Sequence, residues 1–358
     1  MAGKKRDKKR ERAFYENGSK LHEKLIASCN GRPIPIRSYS CEELQRATNN
    51  YDPSRIFHID SSYKWYNGSF EGRMITIKKF IEEYFRHGHD ENLFTDIAVS
   101  AKMSTHNNVL KLIGCCLETQ IPISVYESAA NGSLRGRLYD VTSDHDGAQQ
   151  HQREPLSWQS RLKIAREIAH AISYLHTAFS RPIVHRDIKP GNVFLDQNDV
   201  AKLTDFSLSI LIPEGETHVE DGVFGTLFRL CPYYASTGHI TEKVDVYSFG
   251  SFLLDLLSRQ SKWRDLFYTP DSSDVEDSEN DVEDFENDVE YFEIGRKIFT
   301  INEVVDPAIL VGEEGSVAWQ QLQAVLRLAL ICRKKDPEIR PNMVDVTKEL
   351  RKIERFIL

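Results

Sequence analysis

The sequence predicts an α+β fold in which a small, strand-rich lobe is followed by a larger helical lobe. Short β-type runs, SSYKWYNGSF, GRMITIKKF, VLKLIGCCLE and IPISVYES, fill the first third of the chain. From Leu156 onward, apolar residues recur at helical spacing. With 358 residues and 40% hydrophobic content, the chain can bury a sizeable core. No apolar run approaches the ~18 residues that a membrane-spanning helix needs.

Residues 1–50 are predicted to form a basic N-terminal arm and an entry helix. The start, MAGKKRDKKRER, sets seven basic residues against Asp7 and Glu11, which predicts a solvated arm leading into a short helix. Nuclear import and attraction to an anionic membrane are the functional alternatives. At ~1 kcal/mol per basic residue, the arm gives at most weak peripheral membrane contact. Ser40 and Glu43 form a capping box that opens a helix over CEELQRATNN.

Residues 51–128 are predicted to form the small lobe and residues 129–358 the large one. SSYKWYNGSF and GRMITIKKF are typical of a hairpin, and Glu91 to Met103 of a helix. In the large lobe, SRLKIAREIAHAISYLHTAF carries one apolar face and DVYSFGSFLLDLLS is apolar nearly all round, which predicts an amphipathic helix and a buried one. QQLQAVLRLALIC and NMVDVTKELRKIERF predict two further helices.

An acidic insertion, residues 271–293, distorts the net charge of -8. It holds 12 acidic residues and no Lys or Arg, so the rest of the chain is close to neutral and nucleic-acid binding is not expected. The segment repeats DVEDSEN, DVEDFEN and DVEYFE with a period of seven, but its crowded like charges predict disorder rather than a coiled coil. A docking segment for a basic partner, using Phe285, Tyr291 and Phe292, is the alternative.

The cysteines indicate neither a disulfide framework nor a zinc site. They form no CxxC pair and no regular spacing, so we expect buried, reduced thiols. The six are Cys29, Cys41, Cys115, Cys116, Cys231 and Cys332.

The stretch VHRDIKPGNVFL carries the chemistry. Phosphoryl transfer from ATP needs a carboxylate for the acceptor hydroxyl, ligands for Mg²⁺ and a cation on the phosphates. HRDIKPGN offers Asp187 for the first, Lys189 for charge stabilisation and Asn192 for the metal. LTDFS then places Asp205 at a second metal position, and ITIK places Lys78 on an alternating strand.

These motifs, in this order, resemble those of the eukaryotic protein kinases, and more closely the receptor-like kinases of plants. The plant character lies in MSTHNNVLKLIGCCLET, VYESAANGSL, GHITEKVDVYSFG and RPNMVDVTKEL, with YSCEELQRATNNY before them. The resemblance implies a bilobal protein-kinase fold with ATP and Mg²⁺ as cofactors. Lys78 and the hinge from Glu127 to Ala129 would hold the nucleotide, and Asn192 and Asp205 would hold the metal. Tyr126 stands at the position that gates the pocket behind the adenine, and we interpret it as a packing residue. Without an ectodomain or membrane span, we expect a receptor-like cytoplasmic kinase.

The segment HIDSSY departs from the glycine-rich phosphate cover, GxGxxG, of that family. His58, Asp60 and Tyr63 stand where glycines would let backbone N–H groups approach the phosphates. A carboxylate at ~4 Å from a phosphate charge would cost about 4 kcal/mol at an effective dielectric of ~20. The segment therefore predicts impaired ATP binding.

Three further departures affect the activation segment and the small lobe. Ser207 replaces the glycine of DFG, and Cys231, Pro232 and Tyr233 replace APE. The family's Glu of APE pairs with a buried Arg, here Arg340, whose charge would need another acid or water as partner. Asp96 is the nearest match for the Glu that pairs with Lys78.

The resemblance therefore favours a catalytically impaired adaptor in plant innate immunity, which links a coiled-coil NLR immune receptor to other receptor-like cytoplasmic kinases modified by bacterial effectors. Ile34, Pro35 and Ile36 are the candidate receptor contacts, and Leu208 to Arg229 the candidate sensing surface. A weakly active Ser/Thr kinase and a nucleotide-binding protein without transfer are the alternatives. Lys78 and Asp205 could equally be scaffold residues. We expect a cytoplasmic protein, with some contact at the plasma membrane.

Overall fold

The computed structural model describes residues 2–29, 36–82, 90–139, 154–258, 291–294, 297–310 and 315–355. Its helices are α1 (Ala2–Cys29), α2 (Cys41–Ala47), α3 (Asp90–Met103), α4 (Leu134–Tyr139), α5 (Trp158–Thr177), α6 (Pro232–Thr237), α7 (Lys243–Leu257), α8 (Ile301–Val304), α9 (Val317–Cys332) and α10 (Met343–Glu354). The α+β class and the two-lobe architecture predicted from the sequence are confirmed.

The small lobe is built on a six-stranded sheet with the order β1-β5-β6-β4-β3-β2. Its strands are β1 (Arg37–Ser38), β2 (Ile56–Ile59), β3 (Tyr63–Phe70), β4 (Arg73–Phe80), β5 (Leu112–Cys116) and β6 (Ile123–Glu127). The predicted hairpin is the β3–β4 pair, in which Trp65 lies opposite Lys78. Gly114 of β5 allows β1 to lie beside it, because a Cβ at this position would be only 2.2 Å from the Arg37 carbonyl oxygen.

The entry helix and the helix of the small lobe form where the sequence predicts them. The Ser40–Glu43 capping box is present at the start of α2. The helix ends at Ala47, earlier than predicted, because Asn49, Asn50 and Tyr51 all adopt positive φ angles of 51 to 58°. Helix α3 begins at Asp90 and ends at Met103, within a residue of the prediction.

The N-terminal segment differs from the predicted solvated arm, because Ala2–Cys29 is one helix that packs on the small lobe. Leu21 is 5% exposed and joins the core cluster that contains Phe94 of α3. Asn17 is also buried, and its Nδ2 donates to the carbonyl oxygens of Leu117 and Thr119 at 3.0 and 2.8 Å. The charge pattern of the basic helix does not predict that Leu21 and Asn17 are buried on one of its sides.

The large lobe has a core made mainly by helices. Helix α5 buries its predicted apolar face, and α7 is buried along nearly its whole length. The large lobe also contains short strands: β7 (Gly132–Ser133), β8 (Ile183–Val184), β9 (Val193–Leu195), β10 (Ala201–Leu203), β11 (Ile210–Leu211), β12 (Val219–Glu220) and β13 (His239–Ile240). Strands β9 and β10 pair with each other, β11 pairs with β8, and β12 pairs with β13.

Arg340 is buried, but its charge is compensated differently from the prediction of an acid or water. Its guanidinium donates to the carbonyl oxygens of Lys334, Lys335 and Lys243 at 2.7 to 3.0 Å. It also contacts the Cys231 sulfur at 3.0 Å, and its guanidinium carbon lies 5.0 Å from the centre of the Tyr247 ring. Backbone oxygens carry partial negative charge, so a full acidic partner is not required.

Most of the acidic insertion, residues 271–290, lies outside the described residues. Its last three residues belong to strand β14 (Tyr291–Ile294), which pairs with β15 (Lys297–Thr300), and so differ from the predicted disorder. The described cysteines, Cys41, Cys115, Cys116, Cys231 and Cys332, are free and buried, as expected for reduced thiols. Among the described residues, no helix is both long and apolar enough to cross a membrane.

Candidate active site

The segment HRDIKPGN, residues 185–192, forms a rigid loop between β8 and β9. Asp245 of α7 accepts the backbone N–H groups of His185 and Arg186 at 2.8 and 2.9 Å, and the ring of His176 at 2.9 Å. These bonds hold the pKa of Asp245 below its usual value, although burial opposes the shift. Arg186 has a φ of 71°, and the Asp245 carboxylate stabilises this strained turn. His185 is fully buried, and its Nε2 lies 3.2 Å from the carbonyl oxygen of Thr204.

Asp187 is saturated by partners within the chain. Lys189 Nζ lies 2.8 Å from Asp187 Oδ2, and Asn192 Nδ2 donates to the same oxygen at 2.9 Å. Thr226 Oγ1 donates to Asp187 Oδ1 at 2.5 Å. The residues that the sequence assigns to the acceptor hydroxyl and to charge stabilisation therefore lie together.

Lys78 lies in a fully buried triad with Asp96 and Asp205. Its Nζ is 2.9 Å from Asp96 Oδ2 and 2.7 Å from Asp205 Oδ1. Burial alone would lower the pKa of Lys78, but the two carboxylates outweigh it and raise the pKa. The same ion pair holds the pKa of Asp205 well below its usual range despite burial. The pairing that we predicted between Lys78 and Asp96 is present.

Asp96 reaches Lys78 although it is one methylene shorter than Glu. Its Oδ1 also accepts the backbone N–H of Phe206 at 2.8 Å, next to Asp205. Burial raises the pKa of Asp96, and Lys78 counters part of that rise. Tyr126 is fully buried with its hydroxyl 3.3 Å from Asp96 Oδ2. One carboxylate therefore ties α3 to the start of the activation segment.

Tyr63 occupies the centre of the predicted metal position. Its hydroxyl donates to Asp205 Oδ2 at 2.7 Å and lies 3.2 Å from Asn192 Oδ1. Lys78 Nζ lies 4.2 Å from the centre of its ring. Ser207 Oγ also donates to Asp205, at 2.8 Å to Oδ1. The two side chains that would hold Mg²⁺ therefore converge on a phenolic hydroxyl.

Aromatic rings fill the space beside the hinge. Trp65 of β3 and Phe194 of β9 face each other across the lobes with ring centroids 4.8 Å apart, edge to face. A planar base needs ~7 Å between the atoms above and below it. Phe57 and His58 of β2 each lie 5.5 Å from the Phe194 ring. No slot for an adenine ring is open between these side chains.

The hinge donor is also used internally. The backbone N–H of Ala129 donates to Thr76 Oγ1 at 3.1 Å, and both residues are buried. Glu127 pairs with Lys111 instead, through a backbone bond of 2.9 Å and a side-chain bond of 3.3 Å. The predicted hinge residues have the positions that the resemblance implies, but they are satisfied within the chain.

The HIDSSY segment stays over the catalytic loop. Asp60 Oδ2 lies 3.4 Å from Lys189 Nζ, and its Oδ1 accepts Ser61 N at 2.7 Å. Burial would raise the pKa of Asp60, but Lys189 and Ser61 lower it. The carboxylate thus lies on the cation that would stabilise a phosphate. The sequence predicts that Asp60 would repel a phosphate, and in the structure the Asp60 carboxylate takes the place of that phosphate beside Lys189.

A cleft of about 250 Å³ lies on the Asp187 side of the site. It is lined by residues 60–63 of the HIDSSY segment, by Lys189, Asp205, Phe224 and Thr226, and by others. Pockets that enclose a drug-sized ligand are usually ~300 to 1,000 Å³. The cleft is therefore small, and the spaces for adenine and Mg²⁺ are taken by Trp65 and Tyr63.

The protein kinase domain model matches residues 64–349. The chain belongs to the protein kinase family. Such domains generally bind ATP and Mg²⁺, which makes the internal partners of Tyr63 and Trp65 unusual features of this kinase domain.

Similar proteins from Arabidopsis thaliana are named both as kinases and as pseudokinases. The chain is 41% identical to the serine/threonine-protein kinase ZRK1 over 350 residues, which are 97% of this chain and 93% of the relative. It is 40% identical to the non-functional pseudokinase ZED1, with 98% and 99% covered. It is 38% identical to the non-functional pseudokinase ZRK2, with 98% and 92% covered. The resemblance to this plant kinase group is confirmed.

Sequence reasoning missed Trp65, Thr76 and Phe194 in this kinase domain. Trp65 lies two residues after Tyr63 on β3, and Thr76 lies two residues before Lys78 on the neighbouring β4. Alternation along β3 places Tyr63 and Trp65 on the same face, so the signal was present. The motif comparison predicts Tyr63 only as an obstacle to phosphate, whereas its hydroxyl is a hydrogen-bond donor to Asp205.

Proposed function

We propose that this protein is a catalytically impaired, kinase-like adaptor whose binding role does not require ATP. The observation that carries the proposal is the Tyr63 hydroxyl, which bridges Asp205 and Asn192 where Mg²⁺ would bind. Burial raises the pKa of Tyr63 well above its usual value, so the hydroxyl keeps its proton and remains a donor. The role of ATP and Mg²⁺ as cofactors is therefore expected to be lost.

Other contacts support the same proposal. Thr76 accepts the hydrogen bond from the Ala129 backbone N–H, Asp60 pairs with Lys189, and Trp65 packs on Phe194. A nucleotide would need the Ala129 N–H, the Lys189 cation and the space beside Phe194, so entry of ATP would have to break these contacts at once. Leaving a buried polar group unsatisfied costs ~1 to 3 kcal/mol. The site is stabilised in the nucleotide-free form.

The proposed partners are a plant NLR immune receptor and effector-modified receptor-like cytoplasmic kinases. This part rests on the family resemblance; the names of ZED1 and ZRK2 as non-functional pseudokinases bear only on the loss of catalysis. The candidate sensing surface supports it, because Val223, Phe224 and Leu227 are 43%, 40% and 67% exposed. Adjacent exposed apolar side chains commonly mark an interaction surface. We propose a cytoplasmic location, with weak contact at the plasma membrane through basic side chains of α1.

A thermal shift measurement with Mg-ATP tests the nucleotide part. A ligand at ~100 times its dissociation constant adds about 2.7 kcal/mol of stability. We expect no shift in the unfolding temperature up to millimolar Mg-ATP. A saturable shift would refute the proposal of an ATP-independent site.

The receptor contact is tested by co-precipitation. Ile34 and Pro35 lie outside the described residues, whereas Ile36 is half-buried against the small-lobe cluster of Leu21 and Phe94. Ile36→Glu would therefore disturb the chain itself, so Ile34→Glu is tested alone as well. We expect Ile34→Glu to abolish receptor capture, and its unfolding midpoint is measured as the control for folding. Retained capture with Ile34→Glu plus Ile36→Glu would remove this assignment.

A weakly active Ser/Thr kinase is the second candidate. It is favoured by the arrangement of Asp187, Lys189 and Thr226, which remains complete, and by the name of ZRK1 as a serine/threonine kinase. Asp187→Asn separates the two candidates. An adaptor keeps its output in plant cells with this variant, whereas a kinase loses it.

A further inference from the structure

A two-stranded ribbon in the activation segment brings together two histidines and a carboxylate. Strands β12 and β13 are antiparallel, with Glu220 directly opposite His239. His218 is two residues before Glu220 and therefore lies on the same face of the ribbon. These three residues have no part in the site described above.

Their side chains lie close enough together to converge on one transition-metal ion. The three potential ligand atoms lie within 4.8 Å of one another. Glu220 Oε1 is 3.1 Å from His239 Nε2, and the two imidazole centroids are 4.7 Å apart. Tetrahedral Zn²⁺ with bonds of ~2.0 to 2.2 Å places neighbouring ligand atoms ~3.3 Å apart. The longest separation closes by a side-chain rotation, which half-buried His218 and exposed Glu220 can make.

Outer partners hold the histidine rings. His239 Nδ1 lies 3.4 Å from the Tyr233 hydroxyl, so Nε2 faces Glu220. His218 Nδ1 lies 3.1 Å from Thr217 Oγ1. Metal-bound histidines usually use their second ring nitrogen in such a bond, which fixes the tautomer and the ring orientation.

We propose that His218, Glu220 and His239 bind Zn²⁺. Two imidazoles and one carboxylate suit Zn²⁺, whereas Mg²⁺ and Ca²⁺ prefer sites made entirely of oxygen ligands. Three protein ligands leave a coordination position for water or for a group from a partner. The metal would close the loop from 221 to 238, which carries the exposed Val223, Phe224 and Leu227. It would thus fix the shape of this surface without a nucleotide, and the inference stands whether or not the adaptor proposal does.

Zinc competition on the full chain tests the site. The chelator-treated protein is titrated with Zn²⁺ against a chromogenic chelator, using the wild type, His218→Gln, His239→Gln and Glu220→Gln. We expect one zinc per chain in the wild type and at least a tenfold weaker affinity in each histidine variant. His22→Gln, which changes an exposed histidine of α1, is the matched control and should bind as the wild type does.

Hydrogen exchange gives the local readout. Zn²⁺ should slow amide exchange in residues 216–221 and 238–241 of the wild type, and this protection should disappear in His239→Gln. Co²⁺ should give the absorption bands of a four-coordinate ion in the wild type, and these bands should be lost in the same variant. Equal zinc affinity in the wild type and the variants, or protection confined to other segments, would overturn the assignment.

Discussion

Tyr63 decides the chemistry of the site at the residue scale. A glycine there would expose a backbone N–H to a phosphate, whereas the tyrosine supplies a ring under Lys78 and a hydroxyl on Asp205. The buried cation and carboxylate then keep hydrogen-bonded partners without a nucleotide or metal, and such partners are what a buried ion pair requires.

Tyr63→Phe tests how much this hydroxyl stabilises the fold. The change keeps the ring and removes a hydrogen bond to a charged acceptor, which typically contributes ~1.5 to 3 kcal/mol. We expect the free energy of unfolding in urea to fall by about that amount. Tyr15→Phe, at a residue that is 68% exposed, should be neutral. Equal unfolding midpoints for Tyr63→Phe and the wild type would contradict the argument.

His58 gives the fold a dependence on pH. Burial lowers its pKa to about 4, while the usual value is 6.5. The unfolded chain therefore binds more protons between these values, and stability falls as the pH falls from 6.5 towards 4. The shift corresponds to about 2.5 kcal/mol lost by pH 4.5.

Urea unfolding at pH 7 and pH 4.5 isolates this contribution. His106 also has its pKa lowered to about 4, so the comparison must be made between variants. His58→Asn should lose less stability than the wild type between the two pH values, by about 2.5 kcal/mol. His22→Asn should behave as the wild type does. An identical loss in His58→Asn and the wild type would show that His58 does not titrate in this range.

Helix α1 acts at the element scale by holding α3 in place. Leu21 and Leu25 pack in the cluster that contains Phe94 and Ile97 of α3, and Asp96 lies between those two residues. The position of α3 sets the distance from Asp96 to Lys78. The N-terminal helix therefore supports the buried triad from outside the kinase domain match, which starts at residue 64.

Leu21→Ala should show this support. Removing a buried leucine side chain costs ~2 to 5 kcal/mol. We expect a loss of that size in the free energy of unfolding, together with faster amide exchange in α3. Ile26→Ala, on the same helix at a residue that is 51% exposed, should change stability by less than ~1 kcal/mol. Unchanged exchange in α3 would indicate that α1 packs there without stabilising it.

At the scale of the whole molecule, the fold could be predicted because its signals are periodic. The alternating residues of β3 and β4 predict a hairpin, and the apolar face of α5 predicts an amphipathic helix, and both are present. The catalytic-loop residues Asp187, Lys189 and Asn192 could be placed together because they lie within six positions.

The internal occupation of the site could not be predicted in the same way. It depends on contacts such as Tyr63 to Asp205, which are 142 positions apart, and Trp65 to Phe194 across the two lobes. The sequence predicts an acid or water as the partner of Arg340, because the backbone carbonyl groups of Lys334 and Lys243 that accept its hydrogen bonds leave no pattern in the sequence.

A variant with the internal contacts removed tests whether side chains of the chain itself exclude nucleotide from the site. Asp60→Gly frees Lys189, and Tyr63→Gly frees the metal ligands. Trp65→Val opens the adenine space, and Thr76→Ala frees the Ala129 N–H. Urea unfolding must first show a cooperative transition, because loss of the Trp65 ring alone could cost ~3 to 5 kcal/mol.

The folded variant should then gain what the wild type lacks, an increase of about 2.7 kcal/mol in stability at Mg-ATP ~100 times the dissociation constant. Asp205→Asn in the same background is the control, and it should abolish the gain because it removes the charged metal ligand. If the variant folds but Mg-ATP does not stabilise it, side-chain occupation is not what keeps nucleotide out of this kinase domain.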